Sequence, residues 1–360
     1  MKQPLASSQN LRTSQPDVKV IVSVLFFLIV LIAGLMYVKW IPYYHKAFTA
    51  ATEHSIGASI VSGTAASAPT PSWETAWAYA KAYYKSVWQA AVLGIVLGSL
   101  VQVLIPKQWL IRTLGKATFG STAIAGIASI PGMMCTCCAA PLVVGLRKRN
   151  VSVGAALAFW LGNPTLNPAT LIFMTFVLNW KFTVLRLIFG LLLVFGVSYF
   201  ANRFAPQAEL PLEIEKTQNS NNMEDTRPIW LRWLSTVWKL TLSIVPAYII
   251  AVLLLGAFRA WLLPSVGGIA SFGFLAIIAF SIAGMLFVIP TAGEIPIIQT
   301  MMSFGLGPGP AAALLITLPS VSLPSLLMVG KSLPTRVLVF VASSIVILGI
   351  MCGIVGSWIL

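Results

Sequence analysis

The sequence predicts an all-α polytopic membrane protein, made of two inverted-topology repeats with broken helices and re-entrant hairpins, in about 7–9 membrane segments. Three observations predict it. Hydrophobic residues fill 58% of the 360 positions and charged residues only 9%, with a mean hydropathy of +0.89, whereas a soluble domain carries roughly 25% charged residues. Apolar runs of the order of the roughly 20 residues needed to cross a bilayer occur at 18–38, 87–105, 182–200, 240–255, 272–289 and 337–360. Finally, prolines and glycines recur in the same order in both halves of the chain.

Residues 1–17 are polar and precede the first apolar run. That run, 18–38, exceeds the roughly 7–15 residues of a signal-peptide core, so it reads as a retained helix. With the tail it forms a unit at 1–39, and Arg12 and Lys19 ahead of the run place the N-terminus in the cytoplasm. Residues 40–85, rich in Ala, Ser, Thr and Pro around 62–72, read as an extracytoplasmic loop. Membrane repeat one follows at 86–205, and an acidic, Asn-rich cytoplasmic linker at 206–230 leads to repeat two at 231–360. The formal net charge is +14, but Lys and Arg stand singly or in threes at the ends of apolar runs. This is the pattern of membrane-edge charge and argues against a nucleic-acid partner.

Three basic clusters set the orientation: Lys107, Arg112 and Lys116; Arg147, Lys148 and Arg149; and Lys331 with Arg336. All are expected in the cytoplasm. Residues 120–146 then begin and end on one side and are interrupted at Pro131-Gly132, which a re-entrant hairpin satisfies. The alternative is one ordinary crossing, with Arg147–Arg149 outside. Repetition favours the hairpin. Pro141 and Pro164 recur 155 residues later as Pro296 and Pro319, Ile130-Pro131 recurs 159 later as Ile289-Pro290, and the stretch ending at Pro106 recurs 158 later, ending at Pro264. The first half thus has four extra residues between its two prolines, in the cysteine-bearing stretch. An odd number of crossings in the first half inverts the second, an arrangement found in transporters.

Four features carry possible chemistry. Glu294 is the one acidic residue inside an apolar stretch, where a charge costs about 2.5–3.5 kcal/mol; it reads as a proton-coupling residue or, alternatively, as the cap of a half-helix. Cys135, Cys137 and Cys138 form a compact soft-ligand set for a thiophilic solute or a metal ion. With His45 and His54 far away in the loop, a closed tetrahedral zinc site lacks its fourth ligand; the alternative for the thiols is packing. Cys137 and Cys138 lie nearest Pro141, and so nearest the expected start of a half-helix. Asn163, Pro164 and Asn167 break one helix, and Ser320 with Ser322 beside Pro319 break its counterpart. Their freed carbonyls and polar side chains are candidate solute ligands; the alternative is a kink that satisfies itself. Arg147–Arg149 reads as a topological anchor.

The stretch from Cys135 through Pro141-Leu142-Val143-Val144-Gly145-Leu146 to Arg149, followed by Ala158-Phe159-Trp160-Leu161 and Gly162 to Pro168, resembles the predicted permease family that includes the trivalent organoarsenical efflux permeases. Glu294 to Gln299 resembles that family too. The third thiol, Cys138, stands where the family usually has Gly or Ala. The resemblance covers about Trp88 to the C-terminus and implies a multi-pass inner-membrane permease, with methylarsenite export for some members. The reading that results is a secondary-active exporter, not an enzyme, whose partners are a small solute and the lipid bilayer, with no cofactor. No P-loop motif occurs in the sequence. A membrane thiol–disulfide oxidoreductase using Cys135–Cys137 or Cys137–Cys138, and a channel or permease for a sulfur-containing or other polar solute, remain alternatives.

Overall fold

The computed structural model describes residues 18–61, 70–205, 228–262 and 273–360, and among them there is no β-strand. The chain is an all-α polytopic membrane protein. The tail at 1–17, the Ser/Ala-rich part at 62–69, the linker at 206–227 and the Pro264 landmark lie outside the described residues.

Helix α1 (Val18–Leu35) passes through a π-turn at Met36–Trp40 into α2 (Ile41–Glu53), which ends at left-handed His54. Pro42 in the first turn presets a helical φ for α2. A capping box between Ser72 and Thr75 starts α3 (Trp73–Leu104) well ahead of residue 86. Much of the stretch read as a loop at 40–85 is therefore helical, because these local start signals outweigh its small-residue composition.

The remaining helices fall into two matching series. In the first come α3, the short α4 (Lys107–Leu114), α5 (Phe119–Ser129), α6 (Thr136–Lys148), α7 (Val153–Thr165), α8 (Pro168–Val177) and α9 (Trp180–Leu191). Helix α9 continues through a π-turn at Leu192–Val197 into α10 (Ser198–Ala201). The second series has α11 (Ile229–Leu262), α12 (Phe274–Leu286), α13 (Glu294–Ser303), α14 (Pro308–Ser320), α15 (Leu323–Val329) and α16 (Thr335–Ile359). The starts of α5, α7, α8 and α9 recur 155 residues later as those of α12, α14, α15 and α16.

Packing repeats with the sequence. Helices α3 and α11, which open the two series, lie against each other; α5 packs on α7 as α12 packs on α14. Across the halves, α6 meets α15 while its counterpart α13 meets α8. This reciprocity is what a two-fold relation between the halves produces.

Among the described residues, five helical stretches are long and apolar enough to cross a membrane: Val20–Glu53, Trp73–Leu104, Trp180–Phe204, Pro308–Val329 and Thr335–Ile359. The 11 residues of α5 and 13 of α6 reach only about 16 and 20 Å at 1.5 Å per residue, short of the roughly 30 Å hydrocarbon core. Burial places the broken helix α14–α15 at the centre, 83% buried over its most apolar window, against 11% for α1–α2. The apolar side chains on the outside of α1, such as Ile29 and Ile32, are exposed, as befits a lipid-facing surface.

Candidate functional site

Both short-helix pairs turn at a proline followed two residues later by a left-handed residue. After α5, Ile130-Pro131-Gly132 makes a 3₁₀ turn, Met133 is left-handed at φ 49°, and Cys135 is the N-cap of α6. After α12, Ile289-Pro290 leads to left-handed Ala292 at φ 65°, and Glu294 opens α13. A non-glycine residue in this region costs on the order of 1–3 kcal/mol and is typical of functional sites. In each tip it lies two residues after the proline and two before Cys135 or Glu294, which therefore hold matching places in the sequence, Cys135 as the extended cap of α6 and Glu294 as the first residue of α13. The four extra residues of the first half follow Cys135 as one further turn of α6. A four-residue insertion, close to one turn, keeps the later helix face unchanged.

The tips and helix breaks meet at one buried cavity. It is lined by Cys135 and Thr136 from tip one, Ile289 to Ala292 and Glu294 from tip two, Pro164 from one break, and Leu318, Pro319 and Ser322 from the other. In this conformation it has room for about one water molecule. Of the residues singled out from the sequence, Cys135, Pro164, Glu294 and Ser322 line it directly.

Glu294 is buried and ion-paired: its Oε1 accepts from Arg186 Nη1 at 2.6 Å. Arg186 also donates from Nε to Thr165 O at 3.1 Å and from Nη2 to Pro164 O at 2.6 Å. Two carbonyls freed by the α7–α8 break are thus held by an arginine, which corrects the expectation that they stand open to solute. Arg186 also corrects the placement of every Lys and Arg at a run's end, since it sits fully buried inside the apolar run 182–200. The criterion that singles out Glu294, a lone charge within an apolar run, applies equally to Arg186. In repeat two the position 155 residues on is Val341, also buried.

The three thiols separate into two sets. Cys135 and Cys138, one helical turn apart at the start of α6, are free thiols with sulfurs 3.0 Å apart. Cys137 faces Ser322 instead, 3.4 Å from its Oγ, on the side of Tyr83 and Tyr248. No group of three His, Cys, Asp or Glu side chains among the described residues is arranged to hold a metal. The three thiols therefore do not converge: residues consecutive in a helix diverge by about 100°, so Cys137 points away from the Cys135–Cys138 pair. Nor are Cys137 and Cys138 nearest the helix start. Helix α6 begins at Thr136, leaving Cys135 at the cap and Pro141 a full turn inside. Trp160 holds this first turn through Nε1 to Thr136 O at 2.9 Å.

The helix breaks are capped in parallel. Asn167 Oδ1 accepts from the amides of Ala169 and Thr170 at 3.0 and 3.3 Å, starting α8. Its counterpart Ser322 forms a capping box with Ser325, starting α15. Thr165 and Ser320, also counterparts, both bond back to the carbonyl four residues earlier, Leu161 and Ile316. Much of the polarity at the breaks thus serves the backbone. What it leaves over is Asn163 Oδ1, Asn167 Nδ2 and Thr170 Oγ1, buried with no hydrogen-bond partner among the described residues.

Two basic residues do more than mark a membrane edge. Arg147 donates to Val151 O at 2.6 Å and to Ser332 O at 3.2 Å, tying the turn after α6 to the turn after α15. Lys39, in the π-turn between α1 and α2, is buried and donates to Tyr43 and to Thr291 of tip two, each at 3.1 Å. Its position at the end of an apolar run disguised it in the sequence.

Comparison with known proteins agrees with this architecture. Residues 72–358 match the ArsP_1 family model, described as a predicted permease. The UPF0718 protein YraQ of Escherichia coli (strain K12) is 50% identical over 332 residues, covering 91% of this chain and 93% of that one. The UPF0718 protein MJ0584 of Methanocaldococcus jannaschii is 24% identical over 325 residues, covering 71% of this chain and 88% of that protein. No solved structure matches. With its doubled helical series and a family match over most of its length, the chain belongs to the ArsP_1 family of predicted membrane permeases.

Proposed function

We propose that this permease is a secondary-active exporter of a small thiophilic solute, organoarsenical-like or a soft metalloid species, across the inner membrane, with the N-terminus in the cytoplasm. The observation that carries the reading is the convergence of both tips and both helix breaks on one buried cavity. Broken helices meeting inside a doubled fold are where transporters bind their solutes. Cys135 and Cys138 hold the soft atom: as each S–As bond forms, an As–O bond breaks and the hydroxyl leaves with the thiol proton as water, and water reverses the exchange on release. Ser322 and the unpartnered amide atoms of Asn163 and Asn167 offer polar contacts, with the Pro164 ring against the solute and Ser320 behind them. The arms α5–α6 and α12–α13 act as re-entrant hairpins in inverted halves, and their tips part from the opposite breaks to open the cavity.

Glu294 couples this motion to protons. Paired with Arg186, its carboxylate ties tip two to the α7–α8 break; protonation removes the charge and frees the tip. The test is counterflow of methylarsenite in proteoliposomes. Saturable exchange that responds to a pH gradient is expected, and Glu294→Gln retains exchange while losing the pH response. Wild-type vesicles that exchange no methylarsenite, or a Gln variant that responds to pH normally, count against the reading.

A second reading is favoured by one distance. The 3.0 Å approach of Cys135 and Cys138 suits a thiol–disulfide oxidoreductase, in which the dithiol passes two electrons and two protons to a disulfide or quinone acceptor. A free-thiol titre that follows the ambient reductant during turnover supports redox use. Flux from a chain that stays reduced supports transport.

A further inference from the structure

Three charged side chains are buried among the described residues: Lys39, Arg186 and Glu294. Arg186 and Glu294 neutralise each other. Lys39 has no carboxylate partner among the described residues; its ammonium contacts are the neutral oxygens of Tyr43 and Thr291. An ammonium buried without an opposite charge is costly, so such a position is retained where an anion answers it.

The placement of Lys39 is unusual in two respects. It lies ahead of the family match at 72–358, on a π-turn, a helix irregularity common at functional sites. From this turn two neighbouring residues reach both tips: Lys39 donates to Thr291 of tip two, and Trp40 Nε1 donates to Pro131 O of tip one at 2.8 Å. Thr291 in turn lines the cavity beside Cys135. The cap of α6 at this cavity, Cys135, makes no side-chain capping bond, so the positive end of that helix faces the same space.

We propose that Lys39 and Thr291 form the anion-binding end of the cavity, and that its solute is a small anion carrying a sulfur atom. The inference rests on the permease reading and departs from it in substrate class, taking a sulfur-bearing anion in place of a neutral thiophile. The negative group lies towards Thr291 and Lys39, and the sulfur lies against the Cys135–Cys138 pair, 3.0 Å apart. Admission of such an anion requires the tips to part, since the closed cavity takes only about one water.

The test uses the full-length protein in proteoliposomes, with thiosulfate as probe, sulfate as an anion of the same shape and charge without the soft atom, and methylarsenite as a neutral thiophile. Wild type should exchange thiosulfate at least tenfold faster than sulfate. Lys39→Met should lose thiosulfate exchange tenfold or more while keeping methylarsenite exchange, and Lys39→Arg should retain at least half. If Lys39→Met fails to fold, Thr291→Val serves instead, with thiosulfate exchange expected to fall several-fold more than methylarsenite exchange. Methylarsenite exchange by a wild type indifferent to thiosulfate overturns the inference and leaves the permease reading standing. So does thiosulfate exchange that ignores Lys39 and Thr291, which would make the thiol pair the counter-charge. Failure of both solutes in folded wild type removes the inference and the permease reading together.

Discussion

At tip one, Ile130-Pro131 leads through left-handed Met133 to Cys135; at tip two, Ile289-Pro290 leads through left-handed Ala292 to Glu294. The prolines and left-handed residues hold matching places, but beyond them the backbones part: Cys135 is the extended cap of α6 whereas Glu294 already lies inside α13. Each tip also carries different chemistry and answers it differently. Glu294 is met by Arg186 from α9 of the other half, whereas the counterpart of Arg186 in α16 is Val341. The cation nearest tip one's thiols is Lys39, supplied from outside both repeats. A further contrast lies one residue before the left-handed position. Tip one has Gly132, where an added Cβ would collide with Asn163 Oδ1, and tip two has Thr291, whose hydroxyl receives Lys39. Duplication preserved the turn, and the side chains diverged into a soft tip and a charged one.

The most direct way to break this contrast is to unpair the charged tip. Arg186→Met leaves Glu294 buried and uncompensated, so a loss of about 3–5 kcal/mol is expected in detergent-solubilised unfolding. Arg186→Met with Glu294→Met should recover most of it, because an apolar pair of similar volume replaces a buried ion pair at little cost. Equal losses in the single and double variants would mean that the pair does not hold the tip.

Next in size is the close approach at the soft tip. Gly132→Ala should cost about 1–3 kcal/mol, since the new methyl displaces Asn163 from the turn. Thr291→Ala at the matching place in tip two removes atoms and should cost less. A neutral Gly132→Ala would show that tip one is looser than tip two.

The smallest expected effect separates the thiols. Cys135→Ser and Cys138→Ser should each weaken methylarsenite exchange about tenfold, roughly 1.4 kcal/mol, as oxygen replaces a soft ligand. Cys137→Ser, directed at Ser322, should stay within about twofold. A dominant loss at Cys137 would move the soft site to the far side of α6, away from tip two.

Much of the fold is legible because its signals are local. Hydropathy marks the long spans, and Pro131, Pro164, Pro290 and Pro319 mark the turns and breaks wherever the chain packs. Asn167 and Ser322 read correctly as residues at breaks, although both turn out to spend much of their polarity capping α8 and α15. The helical start at 41–53 escaped because alanines, serines and threonines downstream dominate the composition of that stretch.

The membrane class, the doubled order of elements and the singling out of Glu294 follow from nearest neighbours in the chain and the cost of polarity in lipid. Which residues meet is set by the packing of the two halves. The Arg186–Glu294 pair joins positions 108 apart, and the Lys39–Thr291 contact positions 252 apart. Helical geometry, with side chains about 100° apart from one residue to the next, then divided three cysteines within four residues between two different neighbourhoods. No pattern read along the chain contains those distances, because they arise when the two halves pack and bury their charges together.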